Sequence, residues 1–154
     1  MYNMRVEKRN GELEEVSFDK ILTRIKLLCF GEEFSKLNID PTIIAQKVCS
    51  EIYDNVKTSE LDKLSSEISI SLYTKHPEYA TLASRICISN HQKECPNKFS
   101  DCIDILYGDG KKSIIAKYLY DIIQSNKELI DSKINHNNDY LIDFFGFKTL
   151  EKSY

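Results

Sequence analysis

Lys8, Arg9, Glu14, Asp19 and Lys20 are the charged side chains whose types and spacing could do chemistry, and that chemistry is anion binding. Lys8 and Arg9 stand immediately before Asn10-Gly11, and Glu14 follows on the far side of that pair. Asn-Gly between two extended runs predicts a hairpin with a type I′ turn, because both residues tolerate positive φ. The returning strand runs straight into an amphipathic helix that opens with Asp19 and Lys20. Basic side chains, a carboxylate and a helix N-terminus are therefore expected within a few residues of one another. Unbonded N–H groups and the helix dipole favour a phosphate at such a terminus, and Lys and Arg complete the charge balance. The alternative is a surface hairpin whose charges are merely solvated.

The elements that must position these groups come from a chain of 154 residues, the length of one domain or one domain with an appendage. Hydrophobic residues make up 42% and charged residues 29%, enough for an ordinary globular core. A net charge of −3 argues against general nucleic-acid binding, so an anion site has to be a local basic pocket. The five cysteines, Cys29, Cys49, Cys87, Cys95 and Cys102, contain no C-x-x-C pair, which speaks against zinc, a thioredoxin-type motif or a disulfide framework. His76, His91 and His136 show no metal-ligand spacing, and no metal site is expected. The opening MYNMRVEKRNG has no apolar h-region and no later run is long enough to span a bilayer. The expectation is a cytoplasmic protein with no membrane partner.

Ile21, Ile25, Leu28 and Cys29 form one apolar stripe, with Ser17 or Asp19 as cap and Gly31 as terminator. Asp40-Pro41 starts a second helix with Ile44, Val48 and Ile52 on its inner face, closed at Asn55 and Val56. Thr58-Ser59-Glu60-Leu61-Asp62 opens a third, in which Ser59 and Asp62 approximate a capping box. His76-Pro77 separates it from a fourth, which carries Leu82, Ala83 and Ile86 and runs to about Lys93. Beyond Pro96 the pattern predicts helices over Phe99–Tyr107 and Ser113 to about Gln124, then a turn or loop at Asn135–Asp139. The aromatic run Tyr140 to Leu150 reads as extended. The fold expected is mainly α with a small β part: a hairpin capping a four-helix unit, further helices, and a terminal extended aromatic segment.

KRNG, a carboxylate and FDKI in that order resemble the opening of an ATP-cone domain. Val56-Lys-Thr-Ser-Glu-Leu-Asp62, Thr74-Lys-His-Pro-Glu-Tyr-Ala80, Ser89-Asn90 with Lys93, and Phe144-Phe-Gly-Phe-Lys-Thr-Leu-Glu-Lys-Ser-Tyr154 extend the likeness to the class I ribonucleotide reductase large subunit, eukaryotic and viral type. The resemblance divides the chain into an ATP-cone over residues 1–95 and the start of the large-subunit body over 96–154. It implies an allosteric site where ATP keeps the reductase active and dATP switches it off by driving association of large subunits. By that resemblance Lys8, Arg9 and Lys93 contact the triphosphate, while Glu14, Val6, Val16, Ser17 and Ile21 surround the adenine. Lys20 lies close to the nucleotide, and Thr58 and Asp62 lie near the phosphates and sugar hydroxyls. Magnesium would accompany the nucleotide.

Each assignment has a chemical content and a plainer rival. Telling ATP from dATP needs a group that notices one missing hydroxyl, and Asp62 at a helix start is such an acceptor; it is also an ordinary first-turn charge. Thr58 could be only a cap, and Glu14 only a surface ion-pair partner. Glu15 stands where relatives often carry a basic residue. The resemblance places the catalytic barrel, the radical-bearing and shuttle cysteines and the specificity site beyond Tyr154, and none of Cys29 to Cys102 matches them. The chain alone is expected to have no catalytic residues; without a P-loop or Walker-type strand, nucleotide would be bound and not hydrolysed. Expected partners are the rest of the large subunit, through it the radical-bearing small subunit, and further copies of itself. A stand-alone interaction protein acting in trans, with Tyr140–Tyr154 as its adhesive part, is the alternative. A repressor carrying a cone is disfavoured, since no C-x-x-C precedes the hairpin.

Overall fold

Arg5–Glu7 (β1) and Leu13–Glu15 (β2) form the expected hairpin, antiparallel with Val6 opposite Glu14. The structure, a computed structural model, describes residues 4–153; Met1 to Asn3 and Tyr154 lie outside the described residues, the last of these being the end of the aromatic motif. The turn differs from expectation. Only Gly11 of the Asn-Gly pair takes positive φ, at 83°. Its N–H donates to the Lys8 carbonyl at 2.9 Å, and the Lys8 N–H donates to the Glu12 carbonyl at 2.8 Å. Those bonds enclose Arg9, Asn10 and Gly11 in a longer loop ending in a left-handed glycine, the second commonest way to join a hairpin. Asn10 stays at negative φ because its side chain instead accepts from the Glu12 N–H at 3.1 Å.

The helix Phe18–Phe30 (α1) is capped by Ser17, whose side chain accepts from the Lys20 N–H at 3.4 Å. Pro41–Glu51 (α2) follows, with Asp40 accepting from the Thr42 N–H at 2.9 Å. Asn55 and Val56 do not close this helix. Asn55 turns the chain at φ 62°, its N–H donates to the Arg5 carbonyl at 2.7 Å, and Val56–Lys57 (β3) pairs parallel with β1. The sheet order is β2-β1-β3. Thr58–Ser71 (α3) begins directly from β3, so its cap residue is Lys57 and the expected Ser59–Asp62 box is not used. Glu60 fills the reciprocal role, accepting from the Lys57 N–H at 3.4 Å.

Glu78–Gln92 (α4) supplies the most buried face, Leu82 to Ser89. Leu82 and Ile86 meet Ile25, Leu28, Ile44, Val48, Ile68 and Leu72 in the main core. One cation belongs to that core: Arg85 donates to the Leu28 carbonyl at 2.9 Å and to the Ser35 carbonyl and hydroxyl at 3.1 and 2.9 Å, with its guanidinium 4.7 Å from the Phe34 ring centre. The groups it donates to are all neutral, and they tie a loop to the helices. Burial pushes the neighbouring Cys29 thiol up to about 12, against the opposing pull of Arg85, which fits its reading as a small buried hydrophobe.

The described residues fall into two compact units. The first holds the elements above up to Asn90, together with the segment from Ile142 onward; the second is His91–Leu141. Within the second lie Phe99–Tyr107 (α5), Lys117–Ser125 (α6), Lys127–Lys133 (α7) and a 3-10 helix at His136–Leu141. α6 starts later than its pattern suggested because the Ser113 hydroxyl accepts from the Ile115 N–H at 3.0 Å and donates to the Ile115 carbonyl at 2.8 Å, giving those residues a turn instead of a helix. NHNND, expected as a turn or loop, is mostly 3-10.

The terminal aromatic segment is helical and not extended: Phe144–Ser153 (α8) belongs to the first unit. Asp143 starts it by accepting from the Gly146 N–H at 2.6 Å. Phe144 and Phe147, three apart, then face Ala83, Cys87 and Ile70, with Phe144 only 8% exposed. Aromatic composition suggested a strand, but the helical spacing of the two buried rings won. The mainly α fold with its small β part stands; the extended conformation of the tail does not.

Candidate functional site

Strand alternation puts Val6 and Lys8 of the outgoing chain on the same side as Glu14 and Val16 of the return. Lys8 Nζ therefore reaches Glu14 Oε2 at 2.8 Å, and Lys20, near the start of α1, pairs with Glu14 Oε1 from the other side. Glu12 touches Lys8 only at 4.0 Å and is largely exposed. One half-buried carboxylate thus holds two lysines. Exposed pairs of this kind are worth about 0–1 kcal/mol each, so exchanging one for a phosphate costs little.

A second cluster forms deeper. Asp62, in the first turns of α3, is 8% exposed, and the side chains of Arg24 and Arg9 converge on it. Arg24 donates from Nε to Oδ1 and from Nη2 to Oδ2, each at 3.4 Å, and from Nη2 to the Ser89 hydroxyl at 2.7 Å. Arg9 lies 3.9 Å from Oδ2 and hydrogen-bonds to the Asn90 side-chain oxygen. Asn90 in turn donates to the Ser59 carbonyl at 3.4 Å. Four cations thereby meet Glu14 and Asp62, with Glu12 at the rim, a local positive excess on a chain of net charge −3.

The helix N-terminus beside the basic turn is not the expected one. α1 starts across from Met4, at the open end of the hairpin, where the Val16 N–H donates to the Met4 carbonyl at 2.9 Å. α3 is the neighbour instead: the parallel register Glu7–Lys57 makes Lys8 and Thr58 follow side by side. The first-turn amides of α3 and the Lys8–Arg9 turn therefore share one end of the sheet, which is what an anion site needs.

The other sequence candidates fall as follows. Val6 pairs with Val56 and is itself in the core at 8% exposure; Val16 and Ile21 are half-buried and retain apolar surface. Ser17 is the cap of α1, and Thr58 is the first residue of α3. Glu15 stands opposite Arg5 in the ladder. Lys93 follows α4, is exposed, and belongs to the second unit. Reading the sequence missed Arg24. The signal was there, since Arg24 follows Lys20 by four positions and so shares its helix face. Asn90 and Ser89 entered only as part of a motif, without a role; their partners lie at separations of 81 and 65 positions, beyond local reasoning.

Among the described residues no group of three His, Cys, Asp or Glu side chains is placed to hold a metal ion, and no helix is long and apolar enough to cross a membrane. The arrangement suits binding of a polyanion: cations and helix amides at one end of the sheet, with half-buried Val16 and Ile21 farther along.

Ribonucleoside-diphosphate reductase large subunits from Monkeypox virus and Arabidopsis thaliana are 46% and 44% identical over 98% of this chain. The large chain from Schizosaccharomyces pombe is 42% identical over the same share. The chain spans about a fifth of the length of these curated relatives, 19–20% of each. The ATP cone domain family matches residues 4–94, the stretch that holds the hairpin, β3, α1 to α4 and both charge clusters. By that match, over more than half of its residues, the chain belongs to the ATP cone domain family.

Proposed function

We propose that the chain is the nucleotide-sensing regulatory part of a ribonucleoside-diphosphate reductase large subunit, with residues 1–95 as the sensor and 96–154 leading into the body of that subunit. ATP and dATP bind reversibly at the hairpin and α3, and the difference between them sets overall activity of deoxyribonucleotide synthesis. The observation that carries this reading is the convergence of Lys8, Arg9 and the N-terminus of α3 at one end of the sheet, next to the enclosed Asp62. In this reading Lys8, Arg9 and Thr58 take the phosphates, and magnesium arrives on the triphosphate. Glu14, Val16, Ser17 and Ile21 flank the base, backed by Val6, and Lys20 exchanges Glu14 for the nucleotide. Asp62 stands where a sugar hydroxyl is counted. The remainder of the large subunit, the radical-bearing small subunit and further copies of the large subunit are the partners through which the signal acts, in the cytoplasm.

Isothermal titration of the chain with ATP and dATP, beside an Asp62→Asn variant, tests this. The expected result is one site for both nucleotides, with their affinity ratio changed severalfold in the variant. No binding of either nucleotide at millimolar concentration would contradict the reading.

A further inference from the structure

Resting on the nucleotide reading above, we propose that Arg24 is a positioning residue of this site: it holds the Asp62 carboxylate and thereby keeps Arg9 available to phosphate. Arg24 uses a two-pronged grip, Nε on one carboxylate oxygen and Nη2 on the other, both at 3.4 Å. The same Nη2 donates to the Ser89 hydroxyl at 2.7 Å, which fixes the guanidinium against α4. A planar fork matched to a carboxylate is something lysine cannot reproduce. The pair is sheltered, with side-chain exposures of 26% for Arg24 and 11% for Asp62.

Arg9 is held differently. It approaches Asp62 only to 3.9 Å, outside hydrogen-bond range, and its close partner is the neutral side-chain oxygen of Asn90. The enclosed carboxylate is thus satisfied by Arg24, while the Arg9 charge stays at the basic turn. Take Arg24 away and Asp62 is an enclosed anion without its fork, a costly state that a nearby cation relieves. Arg9 stands within reach for this, since it has only to close the 3.9 Å gap and leave Asn90. A phosphate then loses its arginine although the substituted residue never touched it.

Simple loss of positive charge near an anion site would also weaken binding, so the test is a cycle. ATP affinity is measured by titration for the full chain as wild type, Arg24→Met, Asp62→Asn and the double variant, with thermal midpoints recorded for each. Positioning predicts about tenfold weaker ATP binding for Arg24→Met alone and less than twofold further change when Asp62→Asn is already present, because no carboxylate remains to capture Arg9. Equal losses in both backgrounds, or no loss in the wild-type background, would overturn the proposal. Arg24→Lys, which keeps the charge but not the fork, repeats the cycle where Arg24→Met does not fold: positioning predicts a severalfold loss that Asp62→Asn removes, whereas a pure charge effect predicts none. A wild-type chain that fails to bind ATP refutes the nucleotide reading itself and this proposal with it, an outcome distinct from binding without coupling.

Discussion

Lys8 and Lys20 share one carboxylate, and that sharing explains how a local basic site persists on an acidic chain. Gly11 shapes the turn that presents Lys8 and Arg9, at φ 83° with no atom within 4 Å of where a Cβ would stand. Gly11→Ala therefore costs backbone strain alone, about 1–2 kcal/mol, since an L-residue in the left-handed region meets its own carbonyl. Urea denaturation reads this as a lower midpoint with unchanged slope, and equal stability of the variant would show that the turn relaxes to another form. At this scale the sequence was legible where partners are near in the chain. Lys8, Glu14 and Lys20 lie within one hairpin and one helical turn, so their meeting follows from alternation and spacing. Arg24 and Asp62 are 38 positions apart, and no periodicity connects them.

Elements were legible in proportion to how local their determinants are. Caps and apolar stripes located α1, α2 and the fourth helix to within a few residues. β3 was invisible because two residues have no period, and its strand character comes from pairing with β1 on the far side of the chain. That missed strand carries much of the site, since it puts the start of α3 beside Lys8. α8 was misread for a related reason: its helical spacing matters only once Ala83 and Cys87 are known to face it. Burial of Phe144 and exposure of Phe145, at 8% and 67%, yield a direct contrast. Phe144→Ala is expected to cost about 3 kcal/mol through the cavity it leaves, and Phe145→Ala no more than about 0.5 kcal/mol. Chemical denaturation of the two variants decides, and equal losses would mean that α8 does not pack as described.

Across the whole molecule the two units differ in how much they bury. Among the described residues the first has a contiguous core from Ile25 to Ile86, whereas in the second only Ser100, Ile103 and Ile123 are buried, and Ile114 and Leu141 are 81% and 84% exposed. With α8 built into the first unit, weaker ordering is expected of α5, α6 and α7. Local stability follows buried apolar contact, so amides of these helices should exchange faster than those of α3 and α4. Hydrogen exchange with and without ATP is the measurement that tests the central claim, because it locates binding as well as detecting it. The account predicts added protection in Lys8–Ile21 and Thr58–Asp62 and none in α5 to α7. Protection confined to α5–α7, or none anywhere at saturating ATP, would contradict a nucleotide site at the hairpin and α3.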